Sequence, residues 1–230
     1  MKVVVTGASQ GIGYEVVKKL LSETEHEVFA LARNKKKLES LQKYDLNATY
    51  HYQAFDLLKE HYHKDLIPKI VKSVEKVDVL MNIAGLLISK PLKDLTNKDF
   101  DDLFNMNVKS IFKLVRDLLP HFNKNAHIVN ITSMGGFQGS AKFPGMSLYS
   151  ASKGALGILT ECMAEELKDQ HIKTNALAIG AVQTEMLTKA FPGYKAPVNS
   201  GDMADFIIDF ALKGHHYING KIIPVSLSTP

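Results

Sequence analysis

Short, nearly continuous apolar runs alternate along the chain with longer stretches in which apolar positions recur every three or four residues. The runs at 3–5, 28–32, 49–54, 77–83, 127–131, 174–178 and 222–225 read as strands. Several are apolar on both faces, as strands sandwiched between two helical layers must be. The stretches 12–22, 34–44, 97–122, 148–170 and 202–213 read as helices. Strand and helix in strict alternation form βαβ units. They predict an α/β fold: a Rossmann-type doubly wound parallel sheet of about seven strands with helices on both faces. Residues 1–230 are expected to form a single dinucleotide-binding and catalytic domain. The segment 185–200 interrupts the alternation with Pro192, Gly193 and Pro197 among apolar residues, and is expected to be a substrate-covering loop within that domain.

The chain has 230 residues, 45% hydrophobic and 23% charged, enough to bury one sizeable core. Its net charge of +4 comes from lysines dispersed among acids. A local anionic ligand is therefore expected, and nucleic acid is not. One cysteine, Cys162, permits neither an intrachain disulfide nor a Cys-x-x-Cys pair, in keeping with a reducing compartment, and is expected to lie in the core. No apolar run approaches the roughly 18 residues of a membrane span, and none at the start resembles a signal peptide. A cytoplasmic protein without membrane attachment is expected. His61, His63, His215 and His216 lack metal-ligand spacing; they read as solvated, and no metal is expected.

Directly after the first strand comes Thr6-Gly7-Ala8-Ser9-Gln10-Gly11-Ile12-Gly13, and a helical pattern starts within it. Glycines here let the backbone turn tightly and approach a pyrophosphate, while amides at the helix start face its charge. Glycines alone serve any tight strand-to-helix turn. The place of this turn between strand one and helix one singles out a dinucleotide. The second strand ends at Ala32-Arg33-Asn34, followed by Lys35, Lys36 and Lys37, with no acid before Glu39. A guanidinium suits a 2′-phosphate and cannot accept a bond from a ribose hydroxyl. NADP(H) is accordingly expected in preference to NAD(H), which stays open. The alternative is that this basic run only solvates a helix start, against the helix dipole.

Tyr149-Ser150-Ala151-Ser152-Lys153 lies in a helical pattern, so its tyrosine and lysine share a face about 6 Å apart along the axis. A phenol titrates near 10, and a neighbouring ammonium draws it toward working range as an acid or base. By itself such a pair also fits an idle surface contact. The fifth strand, however, ends in Ile131-Thr132-Ser133, which sets a hydroxyl where open α/β sheets collect ligands, and the fourth ends in Asn82-Ile83-Ala84-Gly85.

With these motifs in order, nearly the whole chain resembles the short-chain dehydrogenase/reductase family. The resemblance rests on the glycine turn, Asp56, Asn82-x-Ala84-Gly85, Asn107, Ser133, Tyr149-x-x-x-Lys153 and the stretch 180–184. It implies that Tyr149 is the acid/base and that Ser133 holds the substrate oxygen. It implies further that Lys153 lowers the tyrosine pKa and bonds the nicotinamide ribose, and that Asn107 positions a water beside the lysine. Taken alone, Asn107 reads equally well as a cap or kink. Cofactor contacts are implied for Gly7, Ser9, Gln10, Gly11, Ile12, Gly13, Arg33 and Asn34. Asp56 and Leu57 fall at the adenine, Asn82, Ala84 and Gly85 at its ribose, and Gly180, Val182 and Thr184 near the carboxamide and phosphates.

The chain departs from the family at three places. Ile179 stands where proline is usual before Gly180, Gln10 where many NADP-preferring members carry a base, and 222–226 lacks the Asp-Gly-Gly ending that bears on a tetramer contact.

Around Ser133, the residues Met134, Gly135, Phe143, Met146, Met186, Phe191 and Tyr194 are candidates for the substrate wall. Their character suits a small apolar carbonyl or alcohol. An NADPH-dependent carbonyl reductase leads. A 3-oxoacyl thioester reductase and a non-catalytic dinucleotide-sensing module remain alternatives. A sugar-nucleotide epimerase needs an added substrate domain, for which too few residues follow Thr184. The resemblance also implies a homodimer or homotetramer formed through the helices that carry Asn107 and Tyr149.

Overall fold

Val3 and Val5 point to one side of their strand and Val4 to the other, and all three are fully buried, so this strand is covered on both faces. In the computed structural model, which describes residues 1–45, 48–59 and 61–227, that pattern extends across a sheet. The strands among the described residues are β1 (Lys2–Thr6), β2 (Glu27–Ala32), β3 (Thr49–Ala54), β4 (Val77–Asn82), β5 (Phe122–Ser133), β6 (Lys173–Ile179), β7 (Val182–Gln183), β8 (Val198–Asn199) and β9 (Ile222–Val225). Seven form one parallel sheet in the order β3-β2-β1-β4-β5-β6-β9, while β7 and β8 pair separately. The chain winds outward from β1 to β3 and then returns to the far side of β1 at β4. The crevice therefore opens at the carboxyl ends of β1 and β4. Register aligns those ends: Thr6 lies opposite both Leu31 and Asn82, and Ser133 opposite Ile179.

Two helical layers cover the sheet. On the face of Val3 and Val5 lie α1 (Gly11–Glu23) and α9 (Ser200–Lys213), which bury Val16, Leu20, Ala204 and Ile207. On the face of Val4 lie α4 (Ile67–Val74), α6 (Ser110–Leu118) and α7 (Ser147–Glu166), with Ile70, Leu114 and Leu156 in that core. Each such valine, leucine or isoleucine side chain contributes about 1.5–3 kcal/mol by leaving water. The sheet ends are thereby a firm platform for whatever projects from them.

Several elements differ from the periodicity reading. The stretch 97–122 is not one helix. It holds α5 (Asn97–Phe104), a π-helical turn over Asn105–Lys109, then α6, and a 3-10 turn containing Pro120, with β5 starting at Phe122. Proline has no N–H to continue a helix, and the polar residues Asn123, Lys124 and Asn125 disguise the start of β5. Likewise 34–44 divides into α2 (Lys35–Glu39) and a 3-10 turn, and α7 gives way to a 3-10 turn after Leu167. The short α3 (Tyr62–Asp65) and the helix α4 were not among the expected elements, although Ile67, Ile70 and Val74 keep helical spacing and Pro68 sits in the first turn. The segment 185–200 is not a simple loop: it begins with α8 (Glu185–Ala190), capped by Thr184 Oγ1 accepting from Leu187 N–H at 3.2 Å, and it contains β8.

Two burial expectations are overturned. Cys162 is exposed on the outer face of α7. His215 is buried, its ring centroid 5.2 Å from that of His127, because the turn after α9 folds against the middle of β5.

Candidate active site

A cleft of about 930 Å³ opens along the carboxyl ends of the central strands. Its floor begins at the glycine turn. Gly7 has φ +75°, and a Cβ there would come within 2.8 Å of Ala84 N. A Cβ on Gly13 would collide with the Gly7 carbonyl oxygen. Thr6 Oγ1 accepts from both Ile83 N–H and Ala84 N–H at 3.1 Å, and Ala8 N–H donates to Leu31 O. The tips of β1, β2 and β4 are thus bound into one surface on which small residues leave the backbone bare. Gln10 places no side-chain cap on α1, so the first amides of that helix face the cleft unclaimed. These features fit a dinucleotide with its pyrophosphate over α1.

Arg33 and Asn34 line one end of the cleft. Arg33 is exposed and has no ion pair among the described residues, while Asn34 Oδ1 accepts from Lys37 N–H at 3.1 Å. Ser9, Gln10, Gly11 and Ile12 complete the glycine wall, and Leu57, Ala84 and Gly85 face it. Gly180, Val182 and Thr184 close the far side after β6, where Gly180 N–H donates to Val225 O at 2.8 Å. That bond to β9 steadies the turn at which Ile179 replaces the usual proline.

Ser133 stands at the end of β5, and its Oγ accepts from Gly135 N–H at 3.2 Å, which leaves the hydroxyl hydrogen to be donated elsewhere. Tyr149 projects from the first turn of α7 into the same cleft, half-buried. Burial raises its pKa above the ordinary phenol value, and the neighbouring Ser133 hydroxyl opposes that rise. Lys153, one helical turn on, is 5% exposed, and its Nζ donates to Ile131 O at 2.8 Å. Burial lowers this ammonium to about 8. In this arrangement burial is the larger influence on the phenol, and the Lys153 ammonium is directed at a strand carbonyl.

Three expected site residues are not among those lining the cleft. Asn107 is fully buried in the π-helical turn, with Oδ1 accepting from Leu86 N–H at 2.8 Å and Nδ2 donating to Leu86 O and Ser152 Oγ, both at 2.9 Å. Ser152 in turn donates to Tyr149 O at 2.8 Å. Asn107 therefore joins the loop after β4 to the helix of Tyr149. Asn82 is 1% exposed and donates to Asn130 Oδ1, and Asn130 donates to Thr160 Oγ1, each at 2.9 Å. It ties β4 and β5 to α7 beneath the floor. Asp56 accepts from Leu58 N–H at 3.1 Å in its own turn, and its neighbours Phe55 and Leu57 line the cleft in its place.

Met134, Gly135, Phe143, Met146, Met186, Phe191 and Tyr194, the residues expected at the substrate, line the same cleft as Tyr149. Further apolar walls come from Leu86, Leu87 and Met106, which the motif reading missed although the first two directly follow Asn82-x-Ala84-Gly85. Glu185 and Ser226 also line the cleft. Ser226 carries no local signal: only the pairing of β6 with β9 brings it against Gly180, where a Cβ would collide with it. The segment beyond β7 is fastened by Gln183, whose Nε2 donates to Thr188 Oγ1 at 3.0 Å and whose Oε1 accepts from Ala196 N–H at 2.9 Å. Among the described residues no three His, Cys, Asp or Glu side chains are placed to hold a metal, and no helix is long and apolar enough to cross a membrane.

Known proteins resemble this chain in sequence and fold. Residues 1–195 match the family model described as short chain dehydrogenase. An uncharacterized oxidoreductase of Staphylococcus epidermidis is 26% identical over 94% of this chain and 92% of its own. A 3-oxoacyl-[acyl-carrier-protein] reductase of Thermotoga maritima is 31% identical over 80% of this chain and 75% of its own. The solved structure of a short-chain dehydrogenase/reductase from Serratia marcescens superposes with a TM-score of 0.86 at 25% identity, covering 98% of this chain and 96% of that one. With its doubly wound sheet, glycine turn and Ser133, Tyr149 and Lys153 around one cleft, the chain belongs to the short-chain dehydrogenase family of NAD(P)-dependent oxidoreductases.

Proposed function

We propose that the protein reduces an apolar carbonyl compound with NADPH, or oxidises the matching alcohol, with Tyr149 as the acid/base. The observation that carries this reading is the Tyr149 hydroxyl set beside Ser133, in the same cleft as the glycine turn. A nicotinamide dinucleotide bound along that turn supplies or accepts the hydride. Ser133, held by Gly135 N–H, donates its hydroxyl hydrogen to the substrate oxygen and orients it. Tyr149 then delivers its proton to that oxygen as the carbonyl is reduced. A phenol raised by burial is fully protonated at neutral pH, which suits the reductive direction. Lys153, on the same face of α7, stabilises the phenolate left behind.

The preference for NADP(H) over NAD(H) is supported by Arg33, exposed at the cleft end without an ion pair among the described residues. An apolar substrate is supported by Met134, Met146, Met186, Phe143 and Phe191 around the reacting end. A 3-oxoacyl thioester is a second reading, favoured by the named activity of the Thermotoga relative. In this proposal residues 1–230 act as one catalytic domain with 185–200 as the cover over the substrate, in the cytoplasm, as a homodimer or homotetramer.

The test is Tyr149→Phe. The variant should bind NADPH with wild-type affinity by cofactor fluorescence, which no tryptophan in this chain obscures. Its turnover on a panel of apolar ketones and 3-oxoacyl thioesters should drop about 10²–10⁴-fold. Undiminished turnover refutes the acid/base role, and a preference for bulky, highly charged carbonyls refutes the substrate class.

A further inference from the structure

The cations around the Arg33 end of the cleft are not equivalent. Lys35 Nζ pairs with Glu39 Oε1 at 3.5 Å within α2, whereas Lys37 Nζ reaches out of its helix to Glu185 Oε1 at 3.6 Å. Glu185 is the first residue of α8 and lines the cleft together with Arg33 and Asn34. This ion pair therefore joins the two sides of the cleft mouth, from the helix that follows the tip of β2 to the segment covering the substrate end.

The backbones on both sides are pinned. Asn34 Oδ1 caps α2 at Lys37 N–H, Thr184 Oγ1 caps α8, and the Thr184 methyl lies 3.3 Å from where a Cβ on Gly11 would be. The two charged side chains themselves remain 44% and 57% exposed and, among the described residues, are ion-paired only with each other across the gap. Lys37 can swing to another anion without any change of fold.

A 2′-phosphate near Arg33 is such an anion. It carries more charge than a carboxylate and offers three acceptor oxygens. A ribose that keeps its 2′-hydroxyl offers Lys37 no negative charge in exchange for Glu185. We propose that Glu185 is a specificity-determining residue: it neutralises Lys37 when no 2′-phosphate is present and competes with that phosphate for Lys37 when it is. The inference rests on the NADP(H) reading above and adds to it a counter-ion on the opposite wall. Because the pair is exposed, the competition is worth roughly two- to five-fold in affinity at low ionic strength.

Calorimetric titration with adenosine 2′,5′-bisphosphate and adenosine 5′-monophosphate, which differ only in the 2′-phosphate, tests this without turnover. Glu185→Gln should bind the bisphosphate about two- to five-fold more tightly than wild type and the monophosphate unchanged. Lys37→Gln should weaken the bisphosphate alone, and adding Glu185→Gln to it should then have no effect. An equal change for both nucleotides on Glu185→Gln, or an effect that persists without Lys37, overturns the inference. Arg33→Gln separates the two layers. If it leaves the bisphosphate-to-monophosphate ratio at the wild-type value, the NADP(H) reading itself fails. If it lowers that ratio while Glu185→Gln does nothing, only the role of Glu185 is lost.

Discussion

Lowering the pH from 7 toward 4 should cost the folded protein about 3 kcal/mol through His127 alone. This ring is fully buried midway along β5. Its Nδ1 lies 2.9 Å from Ala211 O and its Nε2 3.0 Å from Asn175 Nδ2. The carbonyl can only accept, so Nδ1 carries the hydrogen and Nε2 takes a bond from the amide. Asn175 has no freedom to turn its oxygen toward the ring, because Nδ2 also donates to Ile218 O and Oδ1 accepts from Lys221 N–H. A second ring proton would point at an N–H. Burial, with the nearby His215 and His216 adding to it, lowers the His127 pKa from 6.5 to about 4, against the pull of the Ala211 carbonyl.

The sign follows from proton counting. Above pH 6.5 neither folded nor unfolded His127 holds the extra proton, and its contribution is fully present. Between 6.5 and about 4 the unfolded chain takes up the proton while the folded one does not, so stability falls by up to about 1.4 kcal/mol per pH unit. His215, also lowered by burial, pushes the same way. Asp99, held at about 2 by the Lys90 ammonium and the Thr96 cap, loses its contribution only at more acid pH and does not confuse the window. Urea unfolding of wild type and His127→Gln at pH 7, 6, 5 and 4.5 measures the effect. The variant should start less stable and show a clearly shallower decline. Parallel curves, or an NMR titration of the folded His127 ring near 6.5, would refute the reasoning.

Two further outcomes concern the scaffold of the site. Asn107→Ala leaves Leu86 N–H, Leu86 O and Ser152 Oγ without their partner, and should cost about 1–3 kcal/mol in urea unfolding while lowering turnover by loosening α7 near Tyr149; unchanged stability would assign Asn107 no tie between loop and helix. Gly13→Ala drives a Cβ into the Gly7 carbonyl, and should cost about 1–3 kcal/mol and weaken NADPH binding, since the turn must open to accommodate it. Wild-type affinity and melting would show that the turn has slack the structure does not contain.

The local grammar was legible in the residues. Runs such as Val3-Val4-Val5 and Val28 through Leu31 can be buried on both faces only in a sheet covered twice. The glycine turn and the four-residue spacing of Tyr149 and Lys153 also declare themselves, because backbone freedom and helical pitch are short-range properties. Burial, partnership and strand order are decided by residues far apart in sequence, and these only the tertiary structure settled. Asn82 and Asn107 prove to be braces under the floor because Asn130, Leu86 and Ser152 arrive from other elements. Ser226 and Glu185 reach the cleft because β9 and α8 fold back to it, and Lys153 turns to Ile131 because α7 packs across β5. His127, an unremarkable polar residue in a strand, becomes an acid-sensitive one only when Ala211, Asn175 and His215 close over it. A hydrogen bond or a desolvated charge depends on distances in space, and one-dimensional spacing records those distances only within a single helix, strand or turn.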